Sequence, residues 1–228
     1  MSAHKSPTPR PQAVLWDFDG TLVDTEPVWI ASDTATITGY GKPWTHDQAV
    51  EWVGASMEAS TTYFASYLAV PGLDSPRLMR EIEQMVADHN RAHPIPFLPG
   101  ARELLDECLD ADIPLALVTM SSPLVVASIL DRMPGVFHAV VNGADVAEGK
   151  PHPEPYLSAA AALGVDPAQC LALEDSRFGC QSANAAGAVV IAVPSFRTIE
   201  PAPRRVIVDS LAGLTLDRAF DLYSGALA

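Results

Sequence analysis

The chain has 228 residues, with 14 basic side chains against 28 acidic ones, a formal charge of −14, and an apolar fraction of 48%. So negative a surface repels polyanions, so neither a nucleic-acid nor a membrane partner is expected. The composition excludes a disordered, collagenous or disulfide-built chain and leaves one good-sized domain, or a domain carrying a smaller insert.

In chain order, residues 1–12 hold prolines and polar side chains without an apolar run, which reads as a loose tail and not a signal peptide. Ala13–Trp16 is a short apolar run that breaks off into Asp17-Phe18-Asp19-Gly20-Thr21, the pattern of a buried strand entering a polar loop. Residues 26–95 then show helix signals only. Pro27–Ile37 ends near Gly39; Thr45 and Gln48 form a capping-box pair leading to Trp52; Ser56–Leu68 follows; and Ser75-Pro76 opens a helix carrying Leu78, Ile82, Met85 and Val86. Pro94, Pro96 and Pro99 close this block.

Beyond it, apolar strands alternate with helices. Ala101–Ala111 places Leu104, Leu105, Cys108 and Leu109 on one stripe, and Pro114–Val118 is a strand ending at Thr119. Ser122 and Pro123 start a helix running to Arg132. Ala139–Val141 ends at Asn142, Pro155–Leu163 stops at Gly164, Cys170–Leu173 ends at Glu174 and Asp175, and Gly179–Ala186 stops at Gly187. Ala188–Val193 and Val206–Val208 complete the strands. Short, unalternating apolar strands separated by helices predict a doubly wound α/β core with a parallel sheet buried on both faces. The expected organisation is a tail over 1–12, a core from 13–25 and 96–228, and an all-helical insert over 26–95.

Cys108, Cys170 and Cys180 are odd in number and lack Cys-x-x-Cys spacing, which suits a reducing, cytoplasmic setting and a role as small buried hydrophobes. No apolar run reaches membrane-spanning length. A monomer is the simplest expectation.

In an open α/β sheet, ligands bind beyond the carboxyl ends of the strands. There the predicted strands deliver Asp17 and Asp19, Thr119, Asn142 with Lys150 just downstream, and Glu174 with Asp175. Carboxylates so close repel unless a cation intervenes, and a hard, oxygen-seeking ion such as Mg2+ suits the set. Lys150 supplies further positive charge, and Thr119 a hydroxyl donor.

The motif Asp17-Phe18-Asp19-Gly20-Thr21 resembles the first signature of the haloacid dehalogenase superfamily. Thr119, Lys150 within Gly149-Lys150-Pro151-His152-Pro153, and Glu174-Asp175-Ser176-Arg177-Phe178-Gly179 resemble the other three, in order and spacing. The helical insert resembles the type 1 cap of the phosphoglycolate phosphatase and β-phosphoglucomutase branch. This resemblance implies that Asp17 attacks phosphorus and forms an aspartyl-phosphate. Asp19 would be the general acid and base, and Thr119 and Lys150 would hold the phosphoryl group. Mg2+ would be held by Asp17, the Asp19 carbonyl and Asp175, with Glu174 directly or through water. The expected activity is a phosphatase acting on a small phosphorylated metabolite: a sugar, polyol or short-acid phosphate.

Thr25, Trp29, Trp52 and Met57 are candidates for substrate contact from the insert, beside Asp24 at the hinge and Trp44; turn formation and helical core packing are their competing uses. His152 is expected to restrain its loop. A β-phosphoglucomutase-like mutase is the alternative activity. That branch carries a His four residues after the hinge Thr, where this chain has Trp29. It also carries an Arg in the second cap segment, where alignment on Gly54-Ala55-Ser56 gives Met57. Lys42 and Arg77 are the cations that could replace that Arg. A dehalogenase is disfavoured because such relatives lack the second Asp, and a catalytically silent binding relative is disfavoured by the complete signatures.

Overall fold

The computed structural model describes residues 9–52, 57–195 and 198–227. In chain order the elements are β1 (Ala13–Trp16), α1 (Glu26–Gly39), α2 (His46–Glu51), α3 (Met57–Leu68), α4 (Ser75–Ala92) and α5 (Ala101–Asp110). There follow β2 (Leu115–Val118), α6 (Pro123–Leu130), β3 (Ala139–Val141), α7 (Glu154–Leu163), β4 (Cys170–Glu174), α8 (Arg177–Ala185), β5 (Val189–Ala192), β6 (Arg205–Ile207) and α9 (Leu216–Gly225). A 3-10 turn at Pro167–Gln169 precedes β4. They form two compact units, one within residues 1–23, 97–120 and 135–228, the other within 24–96 and 121–134. The helical unit thus takes in residues 121–134, which the sequence pattern places with the α/β core.

In the α/β unit a six-stranded sheet has the order β3-β2-β1-β4-β5-β6, and every pairing is parallel. The order reverses between β1 and β4, which pair from Ala13 with Cys170 to Trp16 with Leu173. β1, β2, β4 and β5 are buried along their whole lengths, so neither face selects polar residues and the apolar runs do not alternate. One face carries Leu15, Val118, Ala172 and Val190 against Tyr156, Ala159 and Ala160 of α7 and Cys180 and Ala183 of α8. α9, which no motif announces, packs on β5 and α5. It presents Leu216, Ala219, Phe220 and Tyr223 inward at helical spacing, capped by Thr215. Residues 9–12 are tied down: Pro9 O accepts from Ser224 Oγ at 2.6 Å, and Gln12 N donates to Gln169 O at 2.8 Å. All three cysteines are buried free thiols.

The helical unit has its own core of Ile37, Trp44, Phe64, Leu68, Leu78 and Ile82. α2 begins at the expected capping box, with Gln48 N donating to Thr45 Oγ1 at 3.2 Å and Thr45 N donating to Gln48 Oε1 at 3.0 Å. α4 is capped by Asp74, which accepts from Arg77 N at 2.9 Å; Ser75 is its first helical residue. α6 packs on α4, where Asn90 Nδ2 donates to Ser128 Oγ at 3.1 Å in a buried contact. Arg132 covers the end of α4 by donating to the carbonyls of Asn90 and His93 at 3.0 and 2.7 Å. Among the described residues, no helix is long and apolar enough to cross a membrane.

Candidate active site

The reversal of strand order sets Asp17, immediately after β1, beside Glu174 and Asp175 at the end of β4. Asp17 N donates to Leu173 O at 3.1 Å, which fixes where β1 becomes loop. Thr119 follows β2, on the other side of β1, with its amide bonded to Val141 O at 2.9 Å. The Thr119 hydroxyl approaches Asp19 Oδ2 at 3.4 Å. Phe18 O accepts from the amides of Leu22 and Val23, both at 3.0 Å, turning the chain back just past the motif.

Lys150 spends its ammonium within this group. Nζ donates to Asp17 Oδ1 at 2.6 Å, to Glu174 Oε1 at 2.7 Å and to the Val118 carbonyl at 3.0 Å. The side chains of Lys150, Asp17 and Glu174 are 7%, 8% and 0% exposed. Removing Lys150 costs about 3–5 kcal/mol, because two buried carboxylates are left uncompensated, whereas loss of the Asp17 charge still leaves Lys150 paired with Glu174.

Glu174 is saturated. Besides Lys150, Oε1 accepts from Tyr156 Oη at 2.8 Å, while Oε2 accepts from Asp175 N, Ser176 N and Ser176 Oγ, each at 3.1 Å. Asp175 Oδ2 accepts from Ser195 Oγ at 2.6 Å.

The charges are unevenly compensated. Burial, then the Glu174 carboxylate, push the Asp17 carboxyl up to about 7, although Lys150 opposes the rise. Burial, then Asp17 and Glu174, raise Asp175 well above the carboxylate range against the Ser195 bond and Lys150. Burial works against the Lys150 charge too, but Asp17 and Glu174 outweigh it and hold the ammonium above its usual range. Tyr156 is raised by burial and then by Glu174 and Asp17, so its hydroxyl stays a donor.

Ligand oxygens of Asp17, Glu174 and Asp175 lie within 4.8 Å of one another. An octahedral Mg2+ with bonds of about 2.0–2.1 Å spans at most about 4.1 Å between opposite ligands, so the cluster is near the right size. Asp17 Oδ2 is buried with no hydrogen-bond partner among the described residues. A hard divalent cation fits this donor set, with Asp17 and Asp175 the better ligands because Glu174 has no lone pair to spare.

Two glycines make the closeness possible. A side chain on Gly20, whose φ is +82°, would strike the Asp175 carboxylate, and one on Gly179 would strike that of Glu174.

The structure therefore brings together Asp17, Lys150, Glu174 and Asp175, with Thr119 on Asp19. Asn142 does not join them, since Oδ1 accepts from Ala144 N at 2.9 Å in its own turn. His152 restrains its loop: its carbonyl accepts from Ser182 Oγ at 2.6 Å and Nδ1 accepts from Glu154 N at 3.3 Å. Trp29, Trp52 and Met57 are half-buried against the core of the helical unit, and Trp52 stacks on Tyr63 at 4.6 Å. Thr25 is buried at the start of α1, its carbonyl accepting from Val28 and Trp29, and Asp24 N donates to Pro96 O at 2.8 Å. Gly54-Ala55-Ser56, the alignment point for Met57, lies outside the described residues. Sequence reasoning missed Tyr156 and Ser195. Neither belongs to a signature, and only burial in three dimensions marks Tyr156.

Comparison with known proteins follows the same lines. The chain is 33% identical over 205 residues to a bifunctional riboflavin kinase/FMN phosphatase of Arabidopsis thaliana, of which it spans about half (52%) against 86% of its own length. It is 30% identical over 225 residues to hexitol phosphatase B of Escherichia coli, covering 94% of this chain and 98% of that one. Beta-phosphoglucomutase of Bacillus subtilis is likewise 30% identical, over 80% of this chain and 83% of its own. Among solved structures, CbbY from Rhodobacter sphaeroides in complex with xylulose-(1,5)bisphosphate superposes with a TM-score of 0.77 at 27% identity, covering 90% of this chain and 96% of that one. A family model for haloacid dehalogenase-like hydrolases matches residues 14–193, and the chain belongs to that family.

Proposed function

We propose that this protein is a magnesium-dependent phosphatase that hydrolyses a small phosphomonoester through an aspartyl-phosphate on Asp17. The observation that carries this is the state of the Asp17 carboxylate. It is buried at a strand end, with one oxygen held by Lys150 at 2.6 Å and the other without a hydrogen-bond partner among the described residues, and it offers a ligand oxygen within 4.8 Å of those of Glu174 and Asp175. Asp17, Asp175 and the carbonyl of Asp19 would hold Mg2+, which when bound draws charge from the phosphoryl oxygens and relieves the repulsion among the carboxylates.

In the first half-reaction an Asp17 carboxylate oxygen forms a bond to phosphorus as the bond to the ester oxygen breaks. Asp19 passes its proton to that leaving oxygen. In the second, water attacks the phosphorus of the acyl phosphate, Asp19 takes the water's proton, and Asp17 leaves as carboxylate with inorganic phosphate released. The Thr119 hydroxyl, 3.4 Å from Asp19 Oδ2, orients that residue and is within reach of the same reacting group. Lys150 pins Asp17 and offsets its charge throughout.

A sugar, polyol or short-acid phosphate is the substrate class. Support comes from relatives named for hexitol phosphate hydrolysis and from a structural relative holding a pentulose bisphosphate. In this reading the helical unit is the cap that selects the substrate, and the chain works as a monomer in the cytoplasm.

A phosphomutase is the second reading, favoured by the 30% identity to a beta-phosphoglucomutase over 192 residues. Against it, Trp29 and Met57 are packed on the helical core and neither is a cation. The two cations that could stand in are engaged: Lys42 Nζ lies 5.8 Å above the Tyr67 ring, and Arg77 Nε donates to Glu81 at 2.9 Å. The deciding experiment is phosphate release from p-nitrophenyl phosphate and then from a panel of hexitol, pentulose and glycolate phosphates. Activity should vanish with EDTA and return with Mg2+. Turnover that survives exhaustive chelation overturns the metal-dependent mechanism.

A further inference from the structure

Tyr156 sits in the first turn of α7, six positions after Lys150, and is fully buried. It meets the Lys150–Glu174 ion pair twice. Its hydroxyl donates to Glu174 Oε1 at 2.8 Å, the same oxygen that accepts from Lys150 Nζ at 2.7 Å. The face of its ring lies under the ammonium, with Nζ 5.2 Å from the centroid. A carboxylate offers about four lone-pair positions. Those of Glu174 are filled by Lys150, Tyr156, the amides of Asp175 and Ser176, and the Ser176 hydroxyl.

Of these donors, two are backbone amides fixed by the chain, Ser176 also caps α8 through Gly179 N at 3.0 Å, and Lys150 is committed to Asp17 as well. Among the described residues, the Tyr156 hydroxyl alone of these donors has no second hydrogen-bond partner and no chain constraint to satisfy, so its bond to Glu174 is its whole polar role. Without it, Oε1 keeps one donor and gains a free lone pair, on a carboxylate that offers an oxygen within 4.8 Å of ligand oxygens of Asp17 and Asp175.

We propose that Tyr156 is a positioning residue that keeps Glu174 turned onto Lys150 and off the metal, and thereby sets the preference of the cluster for Mg2+ over Ca2+. The inference rests on the cluster being the magnesium site described above. The physical reason is ligand count. Mg2+ demands a tight octahedron and retains several waters, so two carboxylates and a carbonyl suffice for it. Ca2+ takes six to eight oxygens at longer, looser distances and gains from every added carboxylate. A Glu174 released from Tyr156 is such an added ligand. Groups that orient a metal's surroundings in this way shift metal affinity or activity by about 10–100-fold when removed.

The test is metal binding to the full chain stripped of metal. Mn2+ binding is followed by electron paramagnetic resonance, with Mg2+ and Ca2+ as competitors, for wild type and Tyr156→Phe. Phenylalanine keeps the ring, its packing and its place under Lys150, and loses one oxygen. The expected result is a shift of about tenfold or more in the Ca2+/Mg2+ affinity ratio toward Ca2+, with a cooperative melt retained. In the same variant kcat should fall while KM changes little. A merely structural tyrosine lowers the melting point and leaves the ratio alone, so an unchanged ratio in folded Tyr156→Phe overturns the proposal. A wild-type chain that binds Ca2+ more tightly than Mg2+ overturns it without any variant. Metal binding with the expected ratio shift but no phosphate release defeats the phosphatase reading instead, and leaves the placement of Tyr156 standing.

Discussion

Asp17→Asn should abolish turnover and yet, at alkaline pH without metal, make the protein more stable. Burial first, and then the Glu174 carboxylate, push the native Asp17 carboxyl from 3.8 up to about 7. Its folded pKa is therefore raised above the unfolded one. The stability it contributes is fully present below about pH 4 and is lost as pH rises through about 7. At pH 8 the loss approaches about 4 kcal/mol, taking about 1.36 kcal/mol for each tenfold change in the proton equilibrium. Asparagine never ionises, but its amide must sit where Asp17 Oδ2 has no hydrogen-bond partner among the described residues, a cost of about 1–3 kcal/mol at every pH.

The balance at pH 8 is a gain for the variant of about 1–3 kcal/mol, or about 2–12 °C in Tm at the 2–4 °C per kcal/mol typical of a domain this size. At pH 5 only about 1.6 kcal/mol of the wild-type loss remains, so the gain shrinks by about 2–3 kcal/mol. Thermal and urea unfolding of both proteins in EDTA at pH 5 and pH 8 measures this directly. Saturating Mg2+ at pH 8 should then move the gap toward wild type by about 2.7 kcal/mol, since ligand at about 100 times Kd stabilises only the protein that binds it. A stability gap that does not move between the two pH values, or that favours wild type more at pH 8 in EDTA, refutes the electrostatic account of Asp17.

Asp19→Asn should lower kcat by about 10²-fold or more with little change in KM, measured by steady-state phosphate release; a changed KM at constant kcat would contradict its acid–base role. Mixing the enzyme with β-glucose 1-phosphate and glucose 1,6-bisphosphate should give inorganic phosphate, if any product, and no accumulation of glucose 6-phosphate in a coupled dehydrogenase assay. Efficient isomerisation there promotes the mutase reading. Gly20→Ala should cost about 1–2 kcal/mol in unfolding free energy for its φ of +82°, and should weaken Mg2+ binding about tenfold or more by displacing the Asp175 carboxylate. Unaltered metal affinity in that variant would show that Asp175 is not a ligand.

Much of the fold was legible because its strands are buried on both faces. Ala13–Trp16 and Leu115–Val118 carry no polar residue to confuse with a loop, and both stop where a polar residue begins. The cluster of Asp17, Lys150, Glu174 and Asp175 was legible because signatures fix each at a strand end or just beyond. Other features were hidden for physical reasons. Pro123–Leu130 is apolar nearly all round, so its period names no inward face and cannot tell which unit it joins. Tyr156 looks like one more helical residue, because its partner Glu174 lies 18 positions away on a strand. The saturation of Glu174 was also invisible, since it depends on donors from α7, the loop at Lys150 and the start of α8 at once. The period of α9 is plain in Leu216, Ala219, Phe220 and Tyr223, but no catalytic motif lies there to draw attention to it.

The placement of α6 bears on how such a protein is synthesised and recombined. Its packing on α4, the buried Asn90–Ser128 bond and the Arg132 cover over the end of α4 all join residues 24–96 to a stretch that follows β2. On the ribosome, the helical unit cannot complete its packing of α6 on α4 until β2, a strand of the other unit, has already emerged. The α/β unit in turn waits for β4, so the two must mature as interleaved folding units and not one after the other. A graft that transplants residues 24–96 alone into a relative carries half an interface, with the α4 face meeting a foreign α6. Exchange of helical units within this architecture therefore calls for two crossovers in the gene, one at each stretch, and single-cassette chimeras should come out insoluble or fraying at α4.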